Sequence, residues 1–228
     1  MIRVTRTHMM PLALVLVWSG AATGAVVARP LPQEPTRVLT ASMPAKVDNR
    51  DMQPLIDGPR RGLRLDARAG DGVAWWPDVQ FGNGTIELDL RGKDAPGQSF
   101  VGVAFHGDDV KGFDAVYFRP FNFRAASEIG RSHAVQYVSH PAHTWDKLRK
   151  EHPGKYEAAI TPPPDPNAWF HVRVEIAHPT VRVFVEPIAA PVLEVQQLSD
   201  RKTGWVGVWV GNGSDGSFAN VAITPARR

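Results

Sequence analysis

The chain has 228 residues, 26 Lys+Arg against 23 Asp+Glu, and no cysteine. A formal charge of +3 with only short basic groups, such as Arg60-Arg61 and Lys147 to Lys150, excludes an electrostatic nucleic-acid binder. Disulfides and a cysteine-linked lipid are excluded as well, so stability must come from a hydrophobic core.

Residues 1–28 read as an export signal. Arg3 and Arg6 precede the apolar run Pro11 to Val17, small residues follow, and Val26-Val27-Ala28 is a cleavage signature. The alternative is a retained N-terminal anchor, although the run is short for a span of about 20 residues. Cleavage leaves about 200 residues with a net charge of about +1, enough for one domain with a sizeable core. The expected location is secreted or periplasmic, with no membrane segment after signal removal.

Residues 29–46 are proline-rich and form the expected linker; the domain runs 47–228. Strands are predicted at Gly62–Ala67, Val73–Phe81 and Thr85–Arg91, the last after an Asn83-Gly84 turn. Phe100–His106, the start of Ala115–Phe123, and Ala134–Ser139 follow. Phe170–Ile176 and Val181–Glu186 alternate strongly around Pro179-Thr180 and predict a hairpin that buries Val172, Val174, Ile176, Val181, Val183 and Val185. Trp205–Val210 and Phe218–Ile223 close the chain. About ten short strands without a long amphipathic helix give an all-β fold, a two-sheet antiparallel β-sandwich or jelly roll. One excursion, His140 to Asn167, carries a short helix with Thr144 as N-cap, and Trp145, Leu148 and Tyr156 to pack it down.

On the Thr85–Arg91 strand, Glu87 and Asp89 lie one strand period apart and share the face opposite Ile86, Leu88 and Leu90. They read either as catalytic carboxylates or as polar surface residues paired with Arg91 or Arg119. Tyr117, Arg119 and Asn122 offer a ring, a guanidinium and an amide, the groups that recognise a sugar. The competing reading makes Arg119 the centre of a structural hydrogen-bond network. Gln136 and Trp209 are expected to complete a polar groove with an aromatic wall, Trp209 because Val206, Val208 and Val210 face the other way. Glu87 and Asp89 are expected across a neighbouring strand from this groove. His106 is a further catalytic candidate.

His140 and His143, with His133 and His152, have metal-ligand chemistry, but their spacing fits no zinc pattern and no metal site is assigned. Asp108, Asp109 and Asp215 sit in turns that suit a structural calcium or are ordinary turn residues. No cofactor is expected otherwise.

The order FGNGTIELDLRG, FVGVAFHG, AVYFRPFNF, AVQYVS and GWVGVWVGNGSDGSFANVAI resembles the concanavalin A-like lectin/glucanase superfamily, more narrowly the laminin-G-like jelly rolls of secreted bacterial proteins. The resemblance covers about residues 47 to 224. It implies two stacked antiparallel sheets with a ligand on or beside the concave one. In the laminarinase-like branch, a Glu-x-Asp-x-x-Glu or Glu-x-Asp-x-Glu strand supplies nucleophile and acid/base. Glu87 and Asp89 match its first two positions, but the third falls on Gly92 or Arg91. The chain is therefore expected to be a monomeric carbohydrate-binding domain whose partner is a glycan. The alternatives are a glycan-active hydrolase or lyase, and a non-sugar adhesion module.

Overall fold

Side chains that alternate in the sequence alternate between layers in the structure, and two stacked sheets result. The computed structural model describes residues 37–39, 46–108 and 111–226. The expected export signal, most of the linker and Asp109 lie outside those residues. In chain order the elements are β1 (Arg37–Leu39), β2 (Lys46–Asp48), β3 (Met52–Asp57), β4 (Arg60–Leu65), β5 (Gly72–Phe81), β6 (Gly84–Arg91), β7 (Val101–Gly107) and β8 (Phe113–Phe118). Then come α1 (Pro120–Phe123), α2 (Glu128–Ser132), β9 (Val135–His140), α3 (Trp145–Glu151) and β10 (Glu157–Ala158). Last are β11 (Phe170–Ala177), β12 (Thr180–Val185), β13 (Leu193–Gln196), β14 (Gly204–Val210) and β15 (Gly216–Pro225).

The first sheet runs β13-β12-β11-β6-β15-β4-β3, with β1 also paired to β15; the second runs β10-β9-β8-β7-β14-β5-β2. All pairings are antiparallel. This is the expected β-sandwich. The β11–β12 hairpin forms, and its six inward residues are all between 0% and 2% exposed. They meet the inner face of the second sheet, whose Val103, Val116, Val206 and Val208 are equally buried. Phe118 and Phe170 join the layers, their rings 5.3 Å apart and nearly perpendicular. No helix among the described residues is long and apolar enough to cross a membrane.

Several elements depart from the sequence reading. β1 falls in the stretch read as linker and pairs with the second half of β15. β3 was not expected because it is an edge strand with no fully buried residue and contains Pro54, and so carries no apolar alternation. Thr144 does occupy the N-cap of α3, but its hydroxyl donates to Asp146 Oδ1 at 2.6 Å instead of capping the helix. Leu148 and Tyr156 pack into the core as expected, whereas Trp145 stays half exposed.

The outer face of the second sheet sets up everything that follows. Register places Val73, Trp209, Gly102, Tyr117 and Gln136 in one row across five strands, and Trp75, Gly207, Ala104, Ala115 and Val138 in the next. The middle of each row is small and its flanks are large, so the face is a valley. The floor is filled by its neighbours: a Cβ on Gly102 would lie 2.3 Å from the Val116 carbonyl oxygen and 2.6 Å from Tyr117 Cβ. Gly102→Ala is therefore expected to destabilise the protein by about 1–3 kcal/mol. For a chain of this size that lowers Tm by about 2–4 °C per kcal/mol. A variant melting with the wild type would refute the close-packed floor.

Candidate functional site

At one end of the valley, where β5 and β7 begin and β8 and β14 end, lies a cavity of about 500 Å³. Tyr117 and Trp209 form its inner wall, with ring centroids 4.8 Å apart. Phe100 and Phe121 continue the apolar side, 5.5 Å from each other. α1 contributes Asn122; α3 contributes Trp145, Asp146 and Arg149. Asp71, Asn212, His133 and His140 complete the polar rim.

Four of the five ligand candidates, Tyr117, Arg119, Asn122 and Trp209, thus line one cavity. Gln136 lies beneath it, 1% exposed, as part of a buried network. Arg119 Nη2 donates to Tyr117 Oη and to Gln136 Oε1, both at 2.5 Å, and Nη1 donates to the His133 carbonyl at 2.9 Å. Tyr117 in turn donates to Gln136 Oε1 at 3.0 Å. Glu157, 5% exposed, sits below as the counter-ion. It accepts from Arg149 Nε at 3.0 Å and Nη2 at 2.7 Å, with Arg119 Nη1 at 3.9 Å and His133 Nε2 at 3.4 Å.

Burial shapes the ionisation of these groups. Desolvation pushes the Tyr117 hydroxyl up to about 12, against the pull of Arg119 and Arg149, so it is a neutral donor at physiological pH. Desolvation lowers Arg119 from the ordinary arginine value, with Tyr117 opposing and Arg149 adding to the effect. His133 is also lowered, first by desolvation, although Glu157 pulls the other way. At the rim, the Thr144 hydrogen bond lowers Asp146 and holds it as a carboxylate.

The guanidinium of Arg119 has three of its N–H donors committed to protein acceptors. It anchors the floor and is not an open hand for a ligand. Unsatisfied capacity lies elsewhere. The indole N–H of Trp209 is buried without a partner among the described residues. Trp145 is 50% exposed, with the Arg149 guanidinium 5.1 Å from its ring centroid. The sequence reading missed Trp145 as a site residue because it assigned that ring to packing. It missed Asp71, Asn212 and Arg149 because they are brought in by turns and a helix remote from the aromatic segment.

The catalytic candidates lie apart from the cavity. Glu87 and Asp89 are on β6, in the first sheet, and not across a neighbouring strand from Tyr117. Their side chains oppose the buried Ile86, Leu88 and Leu90, so they face out from the opposite side of the sandwich. Asp89 accepts from Arg60 Nε and Asn220 Nδ2, both at 2.9 Å, and lies 2.8 Å from His171 Nδ1. Arg91 pairs with Asp57 and not with either carboxylate on its own strand. His106 is fully buried in a left-handed bulge at φ 51°. Its Nδ1 is 3.0 Å from Gln197 Nε2 and its Nε2 is 3.0 Å from the Gly82 carbonyl. Both ring nitrogens are committed, and desolvation favours the neutral ring despite the Gly82 hydrogen bond.

Among the described residues, no three His, Asp or Glu side chains gather as a metal site. Asp215, read as a calcium candidate, pairs with Arg64 and Lys93, each at 2.7 Å.

No protein-family profile and no curated protein sequence matches the chain. Solved structures do. A carbohydrate-binding module, CBM66 from Bacillus subtilis, superposes with TM-score 0.56 at 16% identity, over 81% of this chain and 98% of that one. A Bacillus subtilis protein of unknown function with a galectin-like fold gives 0.54 at 14% identity, over 81% and 90%. The exoplasmic/lumenal domain of VIP36 in a Ca2+/Man3GlcNAc-bound form gives 0.53 at 12% identity, over 80% and 86%. These likenesses show the fold, the concanavalin A-like jelly roll.

Because Arg119 is a buried hub, Arg119→Ala is expected to cost about 2–4 kcal/mol, leaving Gln136, the His133 carbonyl and Glu157 short of a donor. Tyr117→Phe removes one hydroxyl and is expected to cost about 1 kcal/mol. Urea unfolding of both variants measures the difference; an Arg119→Ala protein as stable as the wild type would show that the network holds nothing together.

Proposed function

We propose that this cavity binds a carbohydrate and that the protein is an exported, monomeric glycan-binding domain. One observation carries the reading: aromatic rings and hydrogen-bonding groups with capacity left over converge on a single cavity of about 500 Å³. A pyranose presents apolar C–H faces and a girdle of hydroxyls, so it needs a ring to stack on and mixed donors and acceptors around it. Trp145 supplies the half-exposed ring. Asn122 and Asn212 supply amides, Arg149 a cation, and Trp209 an unpartnered N–H. The buried Arg119 network fixes Tyr117 and the floor in advance.

Two structural neighbours support the reading by their own descriptions, a carbohydrate-binding module and a lumenal domain bound to Man3GlcNAc. A flat apolar adhesion face fits less well, because this face is a valley with a polar rim. Laminarinase-type retaining hydrolysis is disfavoured, because Glu87 and Asp89 stand on the opposite sheet and position 92 is Gly.

A glycan-array screen of the domain, followed by calorimetry on the best ligand, tests the proposal. Trp145→Ala is expected to weaken binding about tenfold, the loss of about 1.4 kcal/mol of stacking. Its half-exposed ring contributes little to the core, so Tm should hold. Undiminished affinity in Trp145→Ala would move the ligand off this cavity.

A further inference from the structure

Half-buried Phe100 lines the cavity where three strands meet. β7 lies between β8 and β14, and its first residue, Val101, pairs with Phe118 on one side and Val210 on the other. Phe100, one residue earlier, is therefore flanked by the segments that leave those two strands. On the β14 side the Gly211 N–H donates to the Phe100 carbonyl at 3.1 Å, and a Cβ on Gly211 would lie 2.7 Å from Phe100 Cβ. On the β8 side the Phe121 ring stands 5.5 Å away with its plane at 88°, and the Arg119 guanidinium lies 5.8 Å from the Phe100 centroid. Each flanking segment brings one asparagine to the cavity directly after the residue that touches Phe100: Asn212 after Gly211, and Asn122 after Phe121.

Hydrogen bonds within the protein tell the two ends of each amide apart. Asn122 Nδ2 donates to the His133 carbonyl at 3.2 Å, and no described residue donates to its Oδ1. Asn212 Oδ1 accepts from the Gly70 N–H at 2.7 Å, and its Nδ2 donates to no described residue. One side of Phe100 thus keeps an acceptor and the other a donor. We propose that the cavity selects sugars bearing an acetamido group, which lies on Phe100 with its N–H donating to Asn122 Oδ1 and its carbonyl accepting from Asn212 Nδ2. The inference rests on the carbohydrate-binding reading of the same cavity.

The chemistry of the group matches this arrangement. A secondary amide is planar and trans, so its N–H and C=O point in opposite directions from one flat unit. Its flat face and methyl suit an aromatic surface, and Phe121 beside Phe100 extends that surface for the methyl. A hydroxyl in the same place would carry donor and acceptor on one atom, and over two phenyl rings one of them would go unpaired. A protonated amine has no acceptor to offer Asn212 Nδ2. An acetyl ester lacks the N–H that Asn122 Oδ1 requires.

The test uses glycans matched except at C2. The full chain is titrated by calorimetry with tetramers of N-acetylglucosamine and of N-acetylgalactosamine, with their de-N-acetylated forms, and with the corresponding glucose and galactose tetramers. At least one acetamido tetramer is expected to bind about tenfold or more tighter than both of its counterparts, the gain of two added hydrogen bonds. Asn212→Asp keeps an acceptor for the Gly70 N–H but sets a carboxylate oxygen against the acetamido carbonyl in place of the amide donor. It is expected to melt with the wild type and to shrink the acetamido preference to about threefold or less. Asn122→Ala is expected to shrink it as much from the other end. Equal affinity across a matched set overturns the selection and leaves the binding reading in place, as does an array on which only glycans without an acetamido group bind. A full preference surviving in both variants overturns the placement on Phe100. If no glycan of any kind binds, the binding reading fails and this proposal fails with it.

Discussion

The site depends on one buried charge. Glu157 sits on the two-residue strand β10, nearly sealed from solvent, and a carboxylate there is tolerable only with cations around it. Arg149 comes from α3, Arg119 from the end of β8, and His133 from the turn after α2. The requirement to neutralise one carboxylate therefore draws together three segments that otherwise share little packing. α3 is only two turns long and would not hold its place by helix propensity. It is fixed by the buried Leu148 and by the two-pronged Arg149–Glu157 contact, and that fixes Trp145 at the cavity mouth. The same carboxylate supports Arg119, which orders Tyr117 and Gln136 at the floor.

The two outer faces of the sandwich show why one became a cavity and the other did not. On the first sheet the polar residues satisfy each other. Asp89 is shared among Arg60, Asn220 and His171. Trp169 is flanked by the Arg60 and Arg91 guanidinium groups, 5.2 Å and 4.6 Å from its ring centroid, and donates to Asp57. Charges paired in this way leave little capacity for a ligand. On the second sheet, Gly102, Ala104, Ala115 and Gly207 replace what would be a layer of side chains. Fully buried Trp75 packs over Gly207, and at the other end Tyr117 and Trp209 wall the cavity.

This contrast marks what was legible in the sequence. Alternation found the hairpin of β11 and β12 and the split of β14 into a valine side and a tryptophan side, because a strand period of two is a local property. The aromatic segment around Tyr117 and Arg119 was legible for the same reason: its neighbours in sequence are its neighbours in space. Glu87 and Asp89 were placed beside it wrongly. Alternation says which residues share a face of one strand, but not which sheet that strand joins. β6 pairs with β11 and β15, and that choice depends on partners far along the chain. Asp71 and Asn212 were hidden by the same limit, whereas Trp145 was seen but assigned to packing.

The saturation of the Arg119 network bears on how the cavity can recognise anything. A guanidinium that already holds a phenol, an amide and a carbonyl has little to gain from a ligand hydroxyl, and releasing one of those acceptors would give up a buried, charge-assisted hydrogen bond. The floor is therefore rigid, and a ligand need not pay the entropy of ordering it. Discrimination falls to the rim, where Asn122, Asn212 and Trp145 can answer the pattern of hydroxyls and C–H faces presented to them. Such a site separates a fixed scaffold from its variable contacts. A change of sugar preference would then require changes in the turn after β14 and in α3, with the Arg119–Glu157 core left as it is.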